Sequence, residues 1–206
     1  MARTVRRGLL WGLLIAAVVA VVGATVIQRW RRPEPPPVLY RLPAFSLVNR
    51  DGRATTLKDL ADTPWIADFI FTRCPASCPM MSARLARLDR ELPRDRLDRG
   101  VRLVSISVDP EHDTPQVLQR YAASFHASDR WLFLTGDGPQ IYRLSKEGFK
   151  LAVDASPQPA AGTAEPILHS TRFVLVDGEG GIRGFYDGFD EASMRKLVRD
   201  LSALAE

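Results

Sequence analysis

Nineteen consecutive residues, Leu9 to Ile27, carry no charged side chain. As a helix rising ~1.5 Å per residue, the run spans roughly 28 Å, close to the hydrocarbon thickness of a bilayer. Arg3, Arg6 and Arg7 precede it, Arg29, Arg31 and Arg32 follow it, and Trp11 and Trp30 stand near its two ends. Three arginines on each side give the positive-inside rule little to act on, so only the free amino terminus favours an N-inside orientation. Two readings stay open. One is an uncleaved transmembrane anchor over 9–27 behind a short basic tail over 1–8. The other is a signal peptide with a small-residue cleavage site at Val22-Gly23-Ala24. The length of the run and its closing arginines favour the anchor, and both readings export the rest of the chain. No cysteine lies near the end of the segment, which argues against a lipid-modified anchor. Arg32-Pro33-Glu34-Pro35-Pro36-Pro37 then reads as a stiff polyproline II spacer in a linker over 28–42.

The net charge of +4 has its source in this segment. All six basic residues before Pro33 flank the apolar run, with no acidic residue among them. The remainder of the chain holds 22 Lys and Arg against 24 Asp and Glu. The positive surplus therefore describes the anchor, and a nucleic-acid partner is not expected. The chain is 46% hydrophobic and 25% charged. Those fractions exclude a disordered, collagen-like or multi-span membrane protein and suit one globular domain over 43–206. Two cysteines are too few for a disulfide framework.

Within that domain, Phe45 to Val48 and Ala54 to Leu57 read as a hairpin about Asp51-Gly52. Trp65 to Phe71 reads as a buried central strand. A helix is expected to begin near Cys78-Pro79, to carry Met81, Leu85 and Leu88 inward, and to stop before Pro93. Val101 to Val108 is a further strand. Thr114-Pro115 opens a helix through about Phe125, with Val117, Leu118, Tyr121 and Phe125 on its inner face. A strand over Trp131–Leu134 and a short helix over Pro139–Ser145 lead into a weakly patterned loop over 150–166. Arg172–Val176 and Ile182–Tyr186 form a second hairpin, and Asp190–Ala205 closes the chain as an amphipathic helix. Strands alternating with helices, plus a terminal hairpin, predict an α/β domain with a mixed central sheet.

The chemistry concentrates in Phe71-Thr72-Arg73-Cys74-Pro75-Ala76-Ser77-Cys78-Pro79, between the central strand and its helix. A helix N-terminus stabilises anions, so at least one thiol there is expected to have a lowered pKa. Thiolates attack disulfides and bind soft metals; the plain alternative is a pair of structural cysteines or an inert disulfide. Two thiolates can hold Cu(I), and a histidine would complete a better site. Of three histidines, His126 falls at a helix end and His112 in the polar turn Asp109-Pro110-Glu111-His112-Asp113. His169 stands where the long loop meets a buried strand, in Ile167-Leu168-His169-Ser170-Thr171. Met80 and Met81 are soft donors too, with helix packing as the competing role for at least one.

Taken together, these motifs resemble the Sco/SenC copper-chaperone family from about Phe45 onward. The resemblance rests on Asp68 to Pro79, on Ser105-Ile106-Ser107-Val108-Asp109-Pro110 with Asp113-Thr114-Pro115, and on His169-Ser170-Thr171. It implies a thioredoxin-like fold in which Cys74, Cys78 and His169 bind one copper ion, as Cu(I) or Cu(II). The implied role is to deliver copper to, or prepare, the CuA centre in subunit II of cytochrome c oxidase. The implied setting is a single-pass inner-membrane protein with its C-terminal domain on the periplasmic side, served by a copper donor and a thiol reductant. The alternative within the resemblance is a thiol–disulfide oxidoreductase that uses Cys74 and Cys78 to reduce the CuA-site cysteines. A peroxiredoxin-like peroxidase is a weaker reading, because no separate resolving cysteine exists. Asp68 lies six residues before Cys74, the offset of a buried carboxylate in thioredoxins; proton transfer and a purely structural role are both open for it. Asp109 is a candidate supporting group near the metal, or a turn residue.

Overall fold

The computed structural model describes residues 18, 20, 21, 23, 34–75, 77–92, 100–151 and 170–205. The chain forms two compact units, Met1–Glu34 and Pro35–Glu206. In the first, Val18, Ala20, Val21 and Gly23 are helical. The rest of the expected anchor lies outside the described residues, and among the described residues no helix is long and apolar enough to cross a membrane.

The second unit runs β1 (Tyr40–Arg41), β2 (Ser46–Asn49), β3 (Ala54–Thr56), a 3-10 turn over Leu57–Leu60, β4 (Trp65–Ile70), α1 (Ser77–Glu91), β5 (Arg102–Ser107), α2 (Pro115–Ser124), β6 (Trp131–Thr135), α3 (Gly138–Arg143), β7 (Arg172–Val176), β8 (Gly181–Asp187) and α4 (Glu191–Leu204). The strands make one mixed sheet in the order β1-β8-β7-β4-β5-β6-β2-β3. All six residues of β4 are buried, as a strand covered on both faces requires. It pairs in parallel with β5, placing Asp68 opposite Ser105, and antiparallel with β7. The parallel β4–β5 pair forces a crossover between them, and α1 supplies it.

Local chemistry sets the helix ends. Thr114 caps α2 by accepting from the Val117 N–H, with Pro115 as the first helical residue. Asp190 caps α4 by accepting from the Ser193 N–H. On α1, Met81, Leu85 and Leu88 are buried as their spacing predicts. On α2 the buried stripe is Leu118 and Ala122, while Tyr121 and Phe125 pack against the core from its edge.

Two regions depart from the sequence reading. The helix expected over Pro139–Ser145 starts at Gly138 and continues over Leu144–Gly148 as a wider π turn, closed by the Phe149 N–H on the Leu144 carbonyl. The extension delivers Phe149 into the core, edge-on to Trp65 at 6.0 Å and to Phe69 at 5.2 Å. Strand β1 falls inside the expected linker and pairs with β8 through Tyr40 opposite Ile182. Both its residues are exposed, so no hydrophobic alternation announces it. The loop expected over 150–166 lies almost wholly outside the described residues.

Helix α1 is fixed near both ends. Near its start, Met81 packs where a Cβ on Gly188 would stand, with the Phe173 ring 3.1 Å from that point. Near its end, Asp89 accepts from the Ser128 N–H and hydroxyl and from Arg130 Nε at 2.9, 2.7 and 2.7 Å. Gly188→Ala should therefore overpack this seat and lower stability by about 1–3 kcal/mol. Urea unfolding of the variant beside wild type measures it.

Candidate metal centre

Strand β4 ends at Ile70, and the chain turns at once, the Cys74 N–H bonding back to the Phe71 carbonyl at 3.2 Å. Cys74 and Cys78 are both buried thiols, 5% and 1% exposed. The Cys78 N–H donates to Cys74 Sγ at 3.3 Å, and the Ser77 hydroxyl lies 3.5 Å from the same sulfur. The four-residue spacing thus lays Cys74 Sγ on the first turn of α1, against its amide end. Cys78 sits deeper. Burial pushes its thiol up, and the nearby Cys74 sulfur and Asp68 carboxylate act in the same direction. At Cys78, desolvation thus outweighs the lowering expected from the helix terminus.

Asp68 stands in the sheet behind this turn and is fully buried. Its Oδ1 accepts from the Ser105 hydroxyl at 2.6 Å, which in turn accepts from Trp131 Nε1 at 2.9 Å. Its Oδ2 has no hydrogen-bond partner among the described residues. Burial pushes the carboxyl up to about 7, against the pull of the Ser105 hydrogen bond. Tyr121 bonds Ser82 on α1 at 2.9 Å, and burial raises its phenol, with Cys78, Asp68 and Cys74 adding to the shift.

The turn is held in front by Asp113, which the sequence places in the Asp113-Thr114-Pro115 motif without assigning it a role. Its buried carboxylate accepts from the Thr72 N–H at 3.0 Å, the Thr72 hydroxyl at 2.5 Å and the Ser107 hydroxyl at 2.6 Å. Thr72 follows β4 and Ser107 ends β5, so one side chain ties the thiol turn to the neighbouring parallel strand. Asp109 has the anticipated turn role and also pairs with a side chain of the thiol turn. Its carboxylate accepts from Arg73 Nε and Nη2 at 3.1 and 2.6 Å, beside Cys74. Its carbonyl accepts from the His112 and Asp113 N–H groups and closes a turn.

Met80 is 54% exposed, whereas Met81 is buried. His112 is exposed. His126 is exposed and adopts φ 54° just beyond α2, its N–H bonding the Ala123 carbonyl, which makes it a backbone cap. His169 lies outside the described residues. The description resumes at Ser170, and the Thr171 carbonyl accepts from the Gly188 N–H at 3.0 Å. Among the described residues no group of three Cys, His, Asp or Glu could hold a metal ion. The arrangement does place two sulfur donors at one strand-to-helix turn, a donor set suited to a soft cation or to dithiol exchange.

This geometry makes two outcomes testable. Asp113→Ala strips three donors of their acceptor and should cost roughly 2–4 kcal/mol, while Asp113→Asn restores part of it; denaturant titration of both variants tests this. Asp68 has a folded pKa of about 7 against an ordinary 3.8. The stability carried by its buried proton is full below pH 4 and is lost as pH rises through 7. Asp68→Asn should flatten that fall in unfolding free energy between about pH 4 and 7.

Known proteins share both the sequence pattern and the fold. A family model described as SCO1/SenC matches residues 39–206. The chain is similar to a SCO1/SenC family lipoprotein of Bacillus anthracis str. Ames, at 34% identity and a TM-score of 0.74, covering 84% of this chain and all of that one. It is similar to BsSco, a member of the Sco family of cytochrome c oxidase assembly proteins in which a disulfide switch was identified. There the identity is 31% and the TM-score 0.71, covering 84% of this chain and 98% of that one. It is also similar to ScoI of Arabidopsis thaliana with copper bound, at 26% identity and a TM-score of 0.62, covering 78% and 98% of the two chains. The mixed sheet with its flanking helices is a thioredoxin-like α/β fold.

Proposed function

Because the chain belongs to the SCO1/SenC family, we propose that it is a copper-binding assembly factor for cytochrome c oxidase. The observation that carries the reading is the meeting of Cys74 and Cys78 at the first turn of α1. In this reading Cys74, Cys78 and His169 hold one copper ion, Cu(I) or Cu(II), as cargo. Thiolate and imidazole are the donors such an ion prefers. Binding requires both thiols to lose protons. Asp68, with a carboxyl that takes up a proton near neutral pH, is suited to receive one. Asp113 and the Arg73–Asp109 pair orient the turn. A copper-bound relative and an oxidase-assembly relative support the reading.

The proposal places the domain over 43–206 on the periplasmic side of the inner membrane. The linker over 28–42 and a single-pass anchor over 9–27, behind the tail over 1–8, attach it. A lipoprotein relative supports membrane attachment in general. The recipient is the CuA domain of oxidase subunit II, a copper donor loads the site, and a thiol reductant keeps it open.

The second reading is thiol–disulfide exchange, favoured by the disulfide switch of BsSco. Cys74 and Cys78 would give up two electrons and two protons to form a disulfide, reducing the CuA-site cysteines to thiols. His169→Ala separates the two. Under the copper reading the purified reduced protein binds one copper ion per chain, and His169→Ala weakens it by more than about tenfold. Cys74→Ser and Cys78→Ser abolish it. Under the exchange reading His169→Ala leaves function intact while both cysteines remain essential. A reduced protein that takes up no copper would refute the first reading.

A further inference from the structure

Away from the thiols, α1 and α4 leave a groove of about 360 Å³ between them. Arg84 and Arg87 on α1 and Arg195 and Arg199 on α4 line it, with half-buried Val198 and the largely buried Leu88 and Met194 at its apolar floor. Glu91 and Glu191 are its two acidic residues. Arg84 is tied to Glu191 and Arg87 to Glu91, each at 2.7 Å. Arg195 and Arg199 have no ion-pair partner among the described residues, and both are exposed. A local positive surplus thus sits on a chain that, beyond Pro33, holds more acidic than basic residues.

We propose that this groove is a docking surface for an acidic amphipathic segment of a protein partner. Its carboxylates would pair with Arg195 and Arg199, and its apolar side chains would cover Leu88, Met194 and Val198. Three observations select that occupant. The charge calls for an anion. Every cation in the groove is arginine, whose planar fork matches a carboxylate in bidentate fashion. The concave, partly apolar floor suits a row of side chains from a helix rather than a flat bilayer. The groove begins six residues along α1 from Cys78, about 9 Å at the helical rise. The inference does not depend on the metal.

The test uses the full chain in phosphatidylcholine nanodiscs. The probe is a fluorescein-labelled 18-residue peptide with a leucine face flanked by glutamates, and its scramble is the control. Fluorescence anisotropy should show the peptide binding and the scramble not. The double reversal R195E/R199E should weaken binding at least about tenfold, with the urea unfolding midpoint unchanged. Added salt should weaken it further, as exposed charges are screened. Equal binding by the reversal, equal binding of the scramble, or no binding would overturn the proposal. So would loss of peptide binding on adding phosphatidylglycerol, which would mark the groove as a lipid surface.

Discussion

The carboxylate of Asp113 is the fixture on which the thiol turn depends. It takes both hydrogen bonds that Thr72 can donate and a third from Ser107. A chain leaving the end of a buried strand has backbone amides with no sheet partner, and in a dry interior such groups must find acceptors. A single buried anion answers that need on two strands at once. Cys74 and Cys78 then follow in a turn whose entry is fixed, and α1 is fixed further along by Asp89 and by the Gly188 seat. The thiol turn is thus tied at its base to two neighbouring strands.

Behind the turn the sheet carries a carboxyl where an apolar residue would pack more simply. Asp68 has one oxygen satisfied by Ser105 and the other unpartnered among the described residues. Burial of a half-satisfied carboxyl is costly, and the protein meets that cost by holding it protonated up to near neutral pH. A carboxyl that titrates near neutral pH thus lies close to the deep Cys78 thiol.

Much of this architecture was legible from periodicity and punctuation. The mostly apolar Trp65–Phe71 segment at β4, the Thr114-Pro115 cap and the Asp-Gly turn each act through local sterics or burial, which the sequence displays. The Cys74–Cys78 turn was legible for the same reason, since proline at the start of α1 marks the helix boundary. Asp113 was not, because its role rests on Thr72, 41 residues away. The raised Cys78 thiol was missed because the terminal helix field is read locally while desolvation is set by the whole core. The π turn before Phe149 and the edge strand β1 likewise depend on tertiary partners.

The central claim is that Cys74, Cys78 and His169 together hold copper. X-ray absorption of the reduced, copper-loaded protein tests it most directly. The account predicts a first shell of two sulfur donors and one imidazole nitrogen, with the imidazole scattering lost in His169→Ala. A shell with fewer than two sulfurs, or one unchanged by that substitution, would contradict it.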